Sequence, residues 1–374
     1  MTIVIAAGGT GGHLYPAIAL AREFLRRNPA TRVLFVGTSR GLESKVLAHE
    51  GFELALISAK PIMGRGPLDI LLGLWAMPVS LWESRNLLYK RRPDLVIGVG
   101  GYTSPMMVLA AALAGVPRVI VEPNAHPGLA NKAVGPLVQR VFLAFSTAAA
   151  AFRPSKVRVV GTPIRRDFLM QSVSSPASPS TDRRHVLIFG GSQGAKAINS
   201  AAIEGLPALL KQHPEMTVTH QTGEADHSRV TEAYQRADVS VNAVPFLYDM
   251  PQVINAATVV VARSGAMTVA ELTACGKPAI LIPLPTAIYD HQMKNAKIMQ
   301  DAGAAIVIPQ AQLNGQRLAQ ELAAILGNAG TLRAMSAASL SLKRIDAAEA
   351  IVRECYALIG DQHDVNQSLG AAGI

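Results

Sequence analysis

Cysteine is nearly missing from this chain of 374 residues, which has only Cys275 and Cys355. Two thiols make neither a disulfide framework nor a cysteine metal cluster. Charged residues are sparse at 16%, and aromatics reach only 5%. So few aromatics argue against a base-stacking surface, so no nucleic-acid partner is expected. The net charge of +9 then points to a phosphorylated ligand or an anionic lipid surface. A membrane-spanning helix takes about 20 apolar residues. The uncharged apolar run Ile70 to Trp82 falls short of that and contains Pro78. No basic stretch precedes the first apolar residues, so no signal peptide is expected and the protein is expected in the cytoplasm.

What the chain has is apolar residues, 49% of the total, and a mean hydropathy of +0.26. That is ample for two buried cores, and the length suits two domains. Near the start, "VIAAGGTGGHLYPA" (Val4 to Ala17) reads as a buried strand, a glycine turn and a helix running to Arg27. It lacks the Lys-Ser/Thr of a P-loop and the spacing of a dinucleotide fingerprint, which disfavours a hydride-transferring dehydrogenase. Glycines between a strand and a helix still expose free N–H groups at the helix start, where an anion is favoured.

The plan recurs at "HVLIFGGSQGAKAIN" (His185 to Asn199). Further strands are expected at Arg32–Val36, Asp94–Gly98, Arg118–Val121 and Arg140–Leu143 in the first half. In the second they are expected at Met216–His220, Val239–Asn242, Thr258–Val261, Ala279–Ile282 and Ala305–Ile308. Strands alternating with helices imply parallel sheets, hence an α/β fold of two Rossmann-like domains facing a central cleft. Ligands of such sheets sit at the carboxyl ends of the strands. The Ser- and Pro-rich stretch Gln171–Arg184 reads as a surface loop, with the boundary slightly earlier, within Val159–Asp167. From Gln362 onward the pattern lapses, so residues 361–374 are expected to form a disordered tail.

Two more stretches carry chemistry. In "VVVARSGAMTVAELTACGKPAILIP" (Val259 to Pro283) a strand turns at Ser264-Gly265 into a helix, with Thr268 in its first turn beside the free N–H groups and Glu271 placed for ribose hydroxyls. In "IYDHQMKNA" Asp290 reads as a helix N-cap, and Gln292 and Asn295 share a face suited to sugar hydroxyls.

Taken together, GGTGGH, GGYTSP at Gly100–Pro105, EPNAHPGLANK at Glu122–Lys132, GGSQGA at Gly190–Ala195, RSGAMTVAE at Arg263–Glu271 and DHQMKNA at Asp290–Ala296 resemble the MurG family. Its members are the N-acetylglucosaminyltransferases that make lipid II for peptidoglycan. The resemblance runs in order from residue 3 to about residue 360. It implies a GT-B fold: an acceptor domain over residues 1–163, joined by a returning helix near Asp346–Gly360, and a UDP-sugar domain over residues 164–345. It implies UDP-N-acetylglucosamine as donor, lipid I as acceptor and no cofactor. By the resemblance, Thr10, Gly11 and Gly12 lie by the diphosphate and sugar, with His13 beside the reacting centre as candidate base and Glu122 as the alternative. Asn124 contacts the donor sugar, Arg165 and Ser192 approach the phosphates, and Leu247 offers its backbone to uracil. Ala266, Met267, Thr268, Val269, Ala270 and Glu271 bind diphosphate and ribose, and Gln292 reads sugar hydroxyls. Pro123 and Thr162 depart from the family's usual Gln and Asn.

The implied reaction inverts the anomeric carbon under attack by the muramyl C4 hydroxyl. No Asp-x-Asp metal motif occurs, so helix N-termini, glycine turns and Arg165 are expected to supply the positive field. A lipid acceptor gives the apolar run a second reading, with Leu71, Leu74, Trp75 and Trp82 flanked by Arg65, Arg85, Lys90, Arg91 and Arg92 on an anionic cytoplasmic membrane face. The competing reading of that run is a buried core helix. The alternatives for function are another GT-B glycosyltransferase for a glycolipid or natural product, a UDP-N-acetylglucosamine 2-epimerase, and a non-catalytic nucleotide-binding module.

Overall fold

The computed structural model describes residues 1–8, 11–38, 43–59, 67–168 and 184–371, and only the backbone of 45, 67–76, 288 and 361–371. Thr10, Arg65 and all of the Gln171–Arg184 loop except Arg184 lie outside the described residues. The chain divides into two compact units: residues 1–165 with 345–374, and residues 166–344.

The first unit runs β1 (Thr2–Ala7), α1 (Gly11–Arg27), β2 (Arg32–Gly37), α2 (Glu43–Glu50), β3 (Glu53–Leu56), α3 (Pro67–Arg91), β4 (Leu95–Gly100), α4 (Thr103–Leu113), β5 (Arg118–Glu122), α5 (Leu129–Val134), β6 (Arg140–Leu143) and β7 (Val157–Val159). The second runs β8 (Arg184–Phe189), α6 (Lys196–Gln212), β9 (Met216–Gln221), α7 (His227–Arg236), β10 (Asn242–Val244), α8 (Met250–Ala256), β11 (Val259–Ala262), α9 (Ala266–Ala274), β12 (Ala279–Leu281), α10 (His291–Asp301), β13 (Ala305–Val307), α11 (Gly315–Leu326) and α12 (Ala329–Ser341). A last helix, α13 (Ala347–Ala371), belongs to the first unit. Its backbone is helical to Ala371.

All strand pairs are parallel, in the orders β3-β2-β1-β4-β5-β6-β7 and β10-β9-β8-β11-β12-β13. Both are doubly wound, reversing between β1 and β4 and between β8 and β11. The central strands are apolar over most of their length because helices cover both faces. In β1, Ile3 and Ile5 join one core while Val4 and Ala6 join the other, as a period of two dictates.

The first of those cores contains α1 (Leu14, Ile18, Phe24) and α13 (Ile351, Val352, Cys355, Ile359), so the returning helix completes the unit. Ion pairs of Glu354 with Arg140 (3.4 Å) and Arg158 (3.7 Å) fix it further. Two edge strands, β3 and β7, were not expected, being short and only half-buried. The strand expected at Val239–Asn242 pairs only from Asn242. Asp238 is left-handed (φ 53°), and Val239 and Val241 pack on the core before the ladder begins.

Candidate active site

In the second unit, the turns after β8 and β11 meet at the switch point. There a cavity of about 410 Å³ is lined by Gly190, Gly191, Gly194, Ala195, Lys196, Arg263, Gly265, Thr268, Leu284 and Gln292. Gly194 is left-handed (φ +72°), and a Cβ there would lie 2.0 Å from the Thr222 carbonyl oxygen, so only glycine fits. Helix α9 begins after Gly265, leaving its first N–H groups at the cavity wall, which concentrates positive potential there. Arg263 is anchored by donating from Nη1 to the Ile282 and Pro283 carbonyls (3.1 and 3.2 Å) and from Nη2 to Gln310 Oε1 (2.6 Å). Burial lowers its pKa below the usual arginine value.

Of the expected run Ala266–Glu271, Thr268 lines the cavity. The side chains of Ala266, Met267, Val269 and Glu271 are buried and that of Ala270 is half-buried. Glu271 lies one turn beyond Thr268 on α9. Gln292 Oε1 accepts from the Leu284 N–H at 3.0 Å, so its amide nitrogen is the end left to meet a ligand. The pairing of Gln292 with Asn295 is corrected here. Asn295 is wholly buried and donates to the Ser264 carbonyl at 3.2 Å, so it braces the turn before α9 instead of facing the cavity. Asp290 does occupy the N-cap position of α10, but in a left-handed conformation without a capping hydrogen bond. Ser192 is exposed and Leu247 half-buried. Lys196 and Arg263 were not singled out from the sequence as ligand contacts. The signal was a basic residue following each glycine or strand end in GGSQGAK and VVVAR.

In the first unit, Gly11 and Gly12 open α1 and His13 follows in its first turn. The imidazole packs against Gly100 at the end of β4: a Cβ there would lie 2.7 Å from its Cδ2 and 2.8 Å from its Nε2, and Gly100 has φ +109°. Gly101 (φ +80°) is pressed as closely on the Gly8 carbonyl, so the turns after β1 and β4 interlock. Arg165 lies over the Tyr15 ring, 5.5 Å from its centroid.

Glu122, at the end of β5, is 2% exposed. Its Oε1 accepts from Asn124 N (3.0 Å) and Nδ2 (3.1 Å), and its Oε2 from Gly128 N (3.0 Å) and Asn131 Nδ2 (2.9 Å). All four lone pairs are thereby engaged. Burial pushes the carboxyl above the usual range, and these four donors pull the other way. The group is thus committed to shaping the loop that carries Asn124. Thr162 is buried, and its hydroxyl has no hydrogen-bond partner among the described residues.

Helix α3 carries Trp82 (67% exposed), Val79 and Tyr89 outward, while Ser80, Ser84 and Leu88 are buried. Arg85 is exposed. A helix buried all round is therefore not what its second half forms. The side chains of Leu71, Leu74 and Trp75 lie outside the description. Among the described residues, no helix is long and apolar enough to cross a membrane, and no three His, Cys, Asp or Glu side chains gather to hold a metal ion.

Comparison with known proteins agrees with this architecture. Residues 3–143 match the glycosyltransferase family 28 N-terminal domain and residues 185–351 its C-terminal domain. The UDP-N-acetylglucosamine--N-acetylmuramyl-(pentapeptide) pyrophosphoryl-undecaprenol N-acetylglucosamine transferase of Syntrophus aciditrophicus (strain SB) is 46% identical, over 96% of this chain and 98% of its own. The crystal structure of Acinetobacter baumannii MurG superposes with a TM-score of 0.73 at 28% identity, over 95% of this chain and 98% of that one. A UDP-GlcNAc 2-epimerase from Neisseria meningitidis shares the fold alone, at 15% identity, a TM-score of 0.66 and coverage of 94% and 99%. With both family 28 domains present in order and near-half identity along almost the whole chain, this protein belongs to the MurG family of GT-B glycosyltransferases.

Proposed function

We propose that the chain transfers N-acetylglucosamine from UDP-N-acetylglucosamine to the C4 hydroxyl of the muramyl unit of lipid I. The products are UDP and the β-1,4 disaccharide of lipid II. The observation that carries this reading is the cavity at the switch point of the second sheet, where Lys196, Arg263 and the start of α9 surround a glycine turn. Such a wall suits a diphosphate leaving group.

In this mechanism the acceptor oxygen attacks the anomeric carbon, the bond from that carbon to the phosphate oxygen breaks, and its electron pair leaves with UDP. His13 takes the hydroxyl proton. His13 is preferred to Glu122 because the latter's acceptor sites are filled by its own loop. Thr10, Gly11, Gly12, Arg165, Ser192 and Thr268 serve the diphosphate, Leu247 the uracil, Glu271 the ribose, and Gln292 and Asn124 the sugar. The positive groups already present do the work a divalent ion does elsewhere, so no metal is needed.

The acceptor is a lipid, and the outward face of α3 supplies the contact: Trp82 and Tyr89 beside Arg85 and Lys90 suit an anionic bilayer surface. We place the protein accordingly on the cytoplasmic face of the inner membrane, held peripherally.

UDP release by purified protein, with and without a lipid I analogue, tests the reading. Release that requires the analogue and yields a disaccharide supports it. N-acetylmannosamine formed from donor alone would replace it with an epimerase.

A further inference from the structure

Strand β9 runs into Thr219-His220-Gln221-Thr222-Gly223, and none of these side chains lines the cavity. His220 and Thr222 are wholly buried and Gln221 is 3% exposed. A buried amide must satisfy both its oxygen and its nitrogen. Gln221 does so by joining two loops. Its Oε1 accepts from the Gly190 N–H at 3.3 Å, and its Nε2 donates to the Pro245 carbonyl at 3.1 Å. The amide cannot be reversed, since that would set donor against donor and oxygen against oxygen. Gly190 opens the turn at the cavity, and Pro245 lies two residues before Leu247, whose backbone is assigned above to the nucleobase. The Thr222 N–H donates to the Val244 carbonyl at 2.9 Å, strengthening the same tie.

The strand end is itself anchored from behind. His220 Nε2 meets Asn199 Oδ1 of α6 at 3.0 Å, and Nδ1 meets the Tyr234 hydroxyl at 2.8 Å. Asn199 Nδ2 donates to the Thr222 carbonyl (2.8 Å) and to Asp226 Oδ2 (2.7 Å), which turns its oxygen to the imidazole. Because that oxygen can only accept, Nε2 of His220 carries the proton. Gly223, whose added Cβ would lie 2.2 Å from the Gln193 carbonyl oxygen, locks the same strand end to the turn.

We propose that Gln221 is a positioning residue that sets the spacing between the phosphate turn and the nucleobase segment, with His220 and Asn199 holding the strand end against α6. This deepens, and rests on, the donor-site reading above. Gln221 touches no ligand. It acts by keeping two contact surfaces one nucleotide apart, so its loss should be felt as a loss of base discrimination.

The test is calorimetric binding of UDP and of ADP to the full chain. Gln221→Met keeps the volume and removes both hydrogen bonds. It is expected to weaken UDP about tenfold and ADP little, narrowing the preference for UDP by a similar factor. His220→Leu leaves both Gln221 bonds and should weaken the two nucleotides alike, with the preference kept within about twofold. Should the Met variant fail to fold, Gln221→Asn, one methylene short of its partners, reads the same ratio. An unchanged UDP preference in the Gln221 variants, with wild type preferring UDP, overturns the proposal alone. Wild-type protein with no preference for UDP overturns the donor-site reading and this proposal with it.

Discussion

The His13 ring rests on a residue that has no side chain. At Gly100 a Cβ would come within 2.8 Å of Nε2, and φ is +109°, which L side chains rarely adopt. Gly100→Ala therefore has to move the imidazole. We expect kcat to fall about tenfold to a hundredfold with the UDP-N-acetylglucosamine KM kept, a milder copy of His13→Ala, which should cost about 10²–10⁴ in kcat. Steady-state kinetics on both variants, with melting temperatures to confirm folding, decide it. Wild-type kcat in Gly100→Ala would show that this packing does not matter to turnover. At Thr162 the expectation concerns stability. Its buried hydroxyl has no partner among the described residues, so Thr162→Val should raise unfolding free energy by about 1 kcal/mol in urea titration. Destabilisation there would mean that the hydroxyl is in fact bonded. Neither property was legible in the sequence, which shows a glycine or a threonine but not what presses on it.

Among the elements, the central strands were legible because burial on both faces makes them continuous apolar runs. Edge strands β3 and β7 were not, since half-exposure dilutes their pattern. Helix α10 shows the limit of helical spacing as a guide. Gln292 and Asn295 are three apart, yet one lines the cavity and the other is buried under Ser264, because a shared face says nothing about which end of that face a neighbouring turn covers. Helix α3 turns large apolar side chains outward. Trp82 and Tyr89 are 67% and 76% exposed, with Arg85 and Lys90 among them. We expect Trp82→Ser with Tyr89→Ser to cut co-sedimentation with anionic vesicles at least about fivefold, while turnover of a soluble acceptor analogue is unchanged. Arg85→Glu should steepen the loss at low salt, where surface attraction is least screened. Equal binding of all variants would remove α3 as the membrane face.

For the whole molecule, the sequence showed two like halves, and the glycine turns pointed to the carboxyl ends of both sheets. It did not show the buried network behind the Gly190–Gly194 turn, whose members are distant in sequence. That network makes the second unit sensitive to acid. His220 is depressed from 6.5 to about 4, first by burial and further by Arg229, with Asp226 opposing. Asn199 and Tyr234 face its two nitrogens. Between pH 4 and 6.5 the unfolded chain binds a proton there that the folded chain refuses. The associated stability is thus complete above about pH 6.5 and drains as pH falls toward 4, by up to about 3 kcal/mol. His185, also lowered by burial, acts in the same direction. Glu122, held above the ordinary carboxyl range, acts oppositely in the first unit: its contribution is present at low pH and lost as pH rises through its folded value. Calorimetric scans from pH 7 to 5 should therefore lower the transition of the second unit more than that of the first. His220→Gln, which cannot titrate but still offers a donor to Asn199, should flatten that slope. An equally steep slope in the variant would assign the acid sensitivity to other groups.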